Sequence, residues 1–495
     1  MTMHTTPQHV TDETPSSAYP AAVPRLKTGH LSFLRTIAES VGVQGPTGGV
    51  VISAAILAGI SGGSTALVQV IAAVAMAFVA YAFILFTREF NSAGSVYGFT
   101  GAAAGPRFGF LSAWALMLVY VNFAGGVYAS VADEATPAFA AVGLHLPWPV
   151  WAVAAFVAVM MLAYLDIRIS SLVILVLEGA SMILVTIVSI VILAKGGYHG
   201  HAFSAAPFQT HGAPLAVLGL GIVYAFSAFS GFEAAATLGE ESAQPRRLIP
   251  WSIALSLAVV ALYEIGVAAV VTNAFPSIKA LAGSAVPLVT ATDHMVAPWV
   301  GTLINFGAVL SSFGAALASA NGASRILYAL GRDGLGPRVL TRVNARTGSP
   351  VGALALVGAA SVAFLVGFLG GPASQAVAVI LTYGADLILA AYTLVLIAAI
   401  VFTLKHRAPW WRTGILLVGL GVMLAVMKET FIPFPRAPYN WDAYGAMATL
   451  VLGVMLPAIS PRLRQGIRQS PLLRVGTATL TPVATGEWKR RVPTP

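Results

Sequence analysis

The sequence predicts an all-α integral membrane protein of twelve transmembrane helices, two of them broken. Three observations lead there. Of the 495 residues, 57% are hydrophobic and 9% charged, against roughly 25% charged in ordinary soluble domains, and the mean hydropathy is +0.83. Apolar runs long enough to cross a hydrocarbon core of roughly 30 Å recur along almost the whole chain. Two of these runs, five spans apart, contain clusters of residues that weaken or stop a helix.

In chain order the spans are placed at 43–61, 65–86, 109–133, 148–165, 172–194, 214–237, 250–272, 298–330, 350–368, 374–403, 413–428 and 442–459. Ahead of them, residues 1–33 hold Pro, Thr, Ser and His with little apolar content and are expected to form a flexible tail. No cleavable signal peptide is recognisable, so the first span should direct insertion itself. Residues 34–461 form the membrane domain, and residues 462–495 a basic tail.

The net charge of +9 is explained by topology. With the N-terminus placed in the cytoplasm, the opposite side keeps only Lys195, Lys279, Lys428 and Arg436 of the 27 Lys and Arg. That asymmetry is the positive-inside pattern, so both termini are expected in the cytoplasm and no nucleic-acid partner is implied. Cysteine is absent, which removes disulfides, thiolate metal sites and cysteine catalysis.

The first break is Gly45-Pro46-Thr47-Gly48-Gly49 and the sixth-span break is "AFSAFSGFE", around Ser227 to Glu233. Pro46 removes a donor and blocks a helical turn. Unwound backbone survives at membrane depth only where protein buries it or it lines a wet cavity. Paired interruptions in two five-helix halves point to a secondary transporter of inverted repeats, with its site at the breaks. The many isolated Gly and Ala elsewhere serve close helix packing.

Three stretches, "EFNSAGSVYGFTGAAAGPRFGFLSAW" (89–114), "FSAFSGFEAAATLGEESAQPRRLIP" (226–250) and "ASRILYALGRDGLGPRVLTRVNARTGSPVGAL" (323–354), together resemble the amino acid–polyamine–organocation transporter superfamily, in its bacterial amino acid permease type. The resemblance spans roughly Leu34 to Pro461. It implies a leucine-transporter-type fold: helices 1–5 over about 43–194, helices 6–10 over about 214–403 as the inverted repeat, and two extra helices over about 413–459. It also implies alternating access around a central site for an amino acid or related amine.

In that family, amides at the first break hold the substrate carboxylate, where a half-helix dipole meets an anion. The implied anion site is Gln44, Thr47, Gly48 and Gly49; Pro46 departs from the family pattern and cannot donate. The implied ammonium site is the carbonyls of Ala225, Phe226, Ser227 and Ser230, with Gly231 permitting the turn. Relatives carry an aromatic lid where this chain has Ser227, so Phe226 or Phe229 would replace it. Asn122 and Phe123 on the third helix, and Ser311, Ser312 and Asn321 on the eighth, fall at pocket depth; such side chains also bond simply to a neighbouring helix.

Glu233 follows the sixth-helix break, and an ionisable group inside the bilayer is a functional hypothesis by default. The resemblance makes it the proton carrier. Glu178, Glu264 and Asp386, alone in their spans, are read as structural. Arg168 matches a position where proton-coupled relatives carry a lysine in place of a sodium ion; a permanent cation there would exclude sodium. It sits ten residues before Glu178 and nominally on one face with it. The charges of "EESAQPRR" and "SRILYALGRDG" are expected mostly on a solvated face, with pairing across loops as a gate the alternative.

The expected function is therefore sodium-independent, proton-coupled amino acid transport across the plasma membrane, with the bilayer, protons and a small substrate as partners and no cofactor or metal. An exchanger of amino acids or polyamines is the alternative. A membrane receptor and a membrane enzyme stand behind it: the nine histidines lie mainly in tails and loops, and no phosphate-binding Gly-rich loop is present.

Overall fold

The computed structural model describes residues 26–90, 92–198, 200, 204–470, 480–482 and 488–490. The first break is a single residue wide. Helix α1 (Phe33–Gln44) stops at Gly45 and α2 (Pro46–Ser61) starts directly after it. Gly45 adopts φ 52° and ψ 53°, a left-handed conformation that glycine reaches without a Cβ penalty, and its amide closes α1 on the carbonyls of Val41 and Gly42. Pro46 takes the first position of α2, where a missing N–H costs nothing.

There follow α3 (Thr65–Glu89), the short α4 (Val96–Ala104), α5 (Pro106–Ala140), α6 (Trp148–Tyr164) and α7 (Ile167–Ala194), which close the first half. The second half opens with α8 (Leu215–Ala228), whose helix ends at the second break; residues Ala234–Leu238 continue it as a single 3-10 turn. It proceeds through α9 (Pro245–Asn273), the short α10 (Ile278–Ala282) and α11 (Pro287–Met295), α12 (Pro298–Arg332), α13 (Val351–Val366) and α14 (Ala373–Lys405). Helices α15 (Trp410–Phe431) and α16 (Asn440–Ile459) are the two additional ones, and α17 (Pro461–Gln469) follows. Strands β1 (Leu480–Pro482) and β2 (Trp488–Arg490) pair antiparallel beyond it.

Among the described residues nine helical spans are long and apolar enough to cross a membrane, with Phe33–Ser61 taken as one. The other three expected spans correspond to shorter apolar helices, α6, α8 and α13. Helix α5 runs through the centre and packs on α4, α6, α12, α13, α14 and α16, while α1 and α2 lie against α7, α9 and α12.

Span one begins ten residues earlier than the sequence suggests, because Thr36, Glu39 and Ser40 are buried in spite of their polarity. Ser40 explains much of this. Its hydroxyl donates to the Phe232 carbonyl at 2.6 Å and accepts from the Ala235 amide at 3.0 Å, so it satisfies backbone groups released by the second break.

The face of the bundle that carries residues 26–32 and α17 is closed by ion pairs. Glu241 receives a two-pronged bond from Arg325 at 2.6 and 3.2 Å, and Glu240 one from Arg332 at 2.8 and 2.6 Å. All four side chains are at most 4% exposed, so the solvated face expected for them is corrected: these pairs form across loops and are buried. Arg246 and Arg247 do point outward. Residues 29–31 lie across the same loop, with Leu31 bridging Ser242. Lys27 reaches Asp166 at 2.7 Å. Partial burial pushes the Asp166 carboxyl up, but hydrogen bonds from Arg168 and Lys27 hold it well below the ordinary carboxylate range.

Candidate functional site

The two breaks meet. A Cβ added to Gly231 would stand 2.5 Å from the Val43 side chain, and Gly231 itself has φ 106°, so only glycine allows the second break to lie against the first. The Gly231 amide donates to the Tyr392 hydroxyl at 3.2 Å. Tyr392 in turn donates to Glu233 Oε2 at 2.6 Å, and Tyr120 to Glu233 Oε1 at 2.8 Å. Glu233 is fully buried, with both oxygens engaged by phenols and no basic side chain paired to it among the described residues. Tyr392 is held in place by edge-on packing with Phe83 and by Phe232, with ring centroids 5.6 and 5.5 Å away.

At the first break the three amides read as anion donors are not equivalent. The Thr47 amide is spent on Ser311 Oγ at 3.2 Å and the Gly49 amide on the Gly45 carbonyl at 3.2 Å. The Gly48 amide has no partner among the described residues, so the donor set narrows to one N–H at the mouth of α2. The Thr47 hydroxyl bonds Tyr263 at 2.9 Å. Gln44 is buried, its Nε2 capping the Ser40 carbonyl and its Oε1 unpartnered.

At the second break, the Phe226 and Ser227 carbonyls accept from the amides of Phe229 and Ser230. Ala225, Phe226, Phe229 and Ser230 are buried, whereas Ser227 is half-buried with its hydroxyl folded back on Val223. Asn122 is fully buried with neither side-chain polar atom partnered, and it lies against Gly384 of α14. Among the described residues an orphaned amide of this kind invites a ligand or water.

Arg168 is not brought to the breaks. Its side chain is 48% exposed and bonded to Asp166 at the start of α7, and Glu178 stands ten residues farther along, about 15 Å up the helix. With it goes the sequence-based reason for expecting sodium exclusion. Carboxylates, not Arg168, stand near the first break. Ser311 donates to Glu178 at 2.8 Å and Ser312 to Glu134 at 2.9 Å.

With span three ending at residue 133, the sequence gives no sign of Glu134 as a site residue, but α5 continues to Ala140 and carries it. Its Oε1 is 3.4 Å from where a Gly48 Cβ would stand, and Glu264 Oε1 is 3.7 Å from the corresponding point on Gly49. Glu134, Glu178 and Glu264 thus surround the first turn of α2. None of the three pairs with a basic side chain among the described residues, and Glu134 Oε2 and Glu178 Oε1 lack any partner. Gln69, bonded to Glu264 at 3.3 Å, presents a further unpartnered acceptor.

Residues 31–456 match a family model described as amino acid permease. The chain is 28% identical over 302 residues to the branched-chain amino acid permease BcaP of Bacillus subtilis (strain 168), covering 57% of this chain and 62% of that one. It is 29% identical over 340 residues to cationic amino acid transporter 3, mitochondrial, of Arabidopsis thaliana, covering 65% and 54%. The methylthioribose transporter of Bacillus subtilis (strain 168) matches at 26% over 378 residues, covering 73% and 78%. Among solved structures, the manganese transporter of Eremococcus coleocola superposes with a TM-score of 0.54 at 12% identity, over 93% of this chain and all of that one. The fold is therefore of the leucine-transporter type, with helices 1 and 6 broken.

Proposed function

The chain belongs to the amino acid permease family, and on that premise we propose that it is a secondary active carrier that moves an amino acid across the plasma membrane by alternating access. The observation that supports this most is the contact of two helix breaks at membrane depth, with one unspent amide, that of Gly48, at the head of α2. The substrate carboxylate takes the Gly48 amide, where the dipole of α2 favours an anion. The ammonium takes carbonyl oxygens of the second break, and Asn122 supplies a polar wall. Glu233 carries the coupling proton: burial leaves its charge uncompensated, and two phenols hold it in place. The face with the chain ends is cytoplasmic, as the basic residues require, and its buried ion pairs close the inward path.

Gly48→Ala tests the anion site. The added methyl would lie 2.5 Å from Ser312 Oγ, next to the unspent amide, whereas Gly49→Ala meets only Glu264 at an ordinary 3.7 Å. Equilibrium binding of labelled amino acids to purified protein is expected to weaken at least tenfold in Gly48→Ala and little in Gly49→Ala. Equal affinity in both variants would place the carboxylate elsewhere.

The three carboxylates around α2 favour a narrower reading, in which the substrate carries a second cation, as in a dibasic amino acid or related amine. Unpartnered acceptors at Glu134, Glu178 and Gln69 are suited to an ammonium or guanidinium donor. Glu134→Gln is then expected to weaken competition by arginine and lysine at least tenfold while leaving leucine unaffected. A uniform change across all competitors would count against the cationic reading.

A further inference from the structure

A groove of about 310 Å³ lies between the first turn of α5, the end of α16 and α17. Among the described residues it carries Arg107, Arg464 and Arg468 and no acidic side chain, over an apolar floor that includes Phe108, Pro457 and Ile467. Helix α17 is docked to form it. Ser460 caps α17 through the Leu463 amide, Ile467 is buried, and Ser470 bonds Tyr97 and Asp333. Arg464 is fixed by the carbonyls of Pro457 and Ala458 at the end of α16.

Arg107 and Arg468 are exposed and form no ion pair among the described residues. The amides of Arg107 and Phe108, in the first turn of the 35-residue α5, have no backbone acceptor among the described residues, so the positive end of that helix also faces the groove. Lys405, bonded to the Ala103 carbonyl at 2.9 Å, adds a further positive charge beside it.

We propose that this groove binds the phosphate headgroup of an anionic phospholipid. Its depth distinguishes a lipid from a free anion. The groove sits where the membrane-spanning α16 ends, and α16 exposes Leu452, Met455 and Ile459 on its outer side, an aliphatic path for acyl chains leading away from the arginines. Attraction of anionic headgroups to clustered basic residues at a membrane surface is expected to separate anionic from zwitterionic lipid by about tenfold or more here.

Native mass spectrometry of the detergent-purified chain, titrated with phosphatidylglycerol or phosphatidylcholine of identical acyl chains and then with inorganic phosphate, tests this. Phosphatidylglycerol is expected to be retained roughly tenfold more tightly, and millimolar phosphate to displace little of it. The double variant Arg107→Gln/Arg468→Gln, which leaves the bonds of Arg464 intact, should lose the preference. Arg107→Lys/Arg468→Lys should keep most of it, and Arg462→Gln, on α17 but outside the groove, should keep it fully. Unchanged preference in the glutamine double variant, equal loss in Arg462→Gln, or tight binding of phosphate alone would each overturn the assignment.

Discussion

Glu233→Gln is expected to abolish uptake driven by an inward proton gradient while leaving exchange of internal for external substrate. The amide is close in size to the carboxyl and can still accept from one of Tyr120 and Tyr392, so the second break keeps its shape. What it cannot do is gain and lose a proton within the cycle. The carboxyl is fully buried with no basic partner among the described residues, so protonation is the change that alters its interaction with the surrounding bundle. Counterflow needs only reorientation of the loaded carrier and should persist within about threefold of wild type. Loss of both modes would reveal a binding or folding role, and retention of gradient stimulation would assign the proton to another group.

The second large effect is expected at the closed face. Arg325 and Glu241 are buried and doubly bonded, with Glu39, itself fully buried, close to the same guanidinium. Removing one partner strands an unpaired buried charge, which costs about 3–5 kcal/mol. Arg325→Ala or Glu241→Ala should therefore shift the bundle toward opening on this face. The absence of native cysteine makes the readout clean. A Ser319→Cys probe, buried at 0% exposure on α12, should react with a membrane-impermeant maleimide at least tenfold faster in either single variant. The Arg325→Ala/Glu241→Ala pair should recover part of the protection. Unchanged labelling would mean that the pairs serve only the static fold.

The breaks were legible because Gly45 and Pro46, and later Gly231, leave the backbone few alternatives. Their local conformation follows from residue type and needs no partner. The start of α1 was not legible, since Thr36, Glu39 and Ser40 look polar in sequence and owe their burial to partners such as Ser242 and Phe232, some two hundred residues away. The ion pairs show the same limit. Glu240, Glu241, Arg325 and Arg332 stood out as charges, but a span of 84 to 92 residues separates the partners, and only the folded chain shows that they are buried together. Arg168 was legible as lying on one face with Glu178 but not as a partly exposed partner of Asp166, the N-cap of α7, because helical periodicity gives a face and not a depth. Glu134 was lost with a helix end placed too early.

Proton-coupled carriage of an amino acid is tested most directly by uptake of a panel of labelled neutral and cationic amino acids into proteoliposomes of the purified chain, with and without an inward proton gradient, in matched sodium and potassium media and with internal substrate for exchange. Saturable uptake of at least one amino acid, stimulated several-fold by the gradient, is the expected result. Saturable uptake of no amino acid in any of these conditions would contradict it.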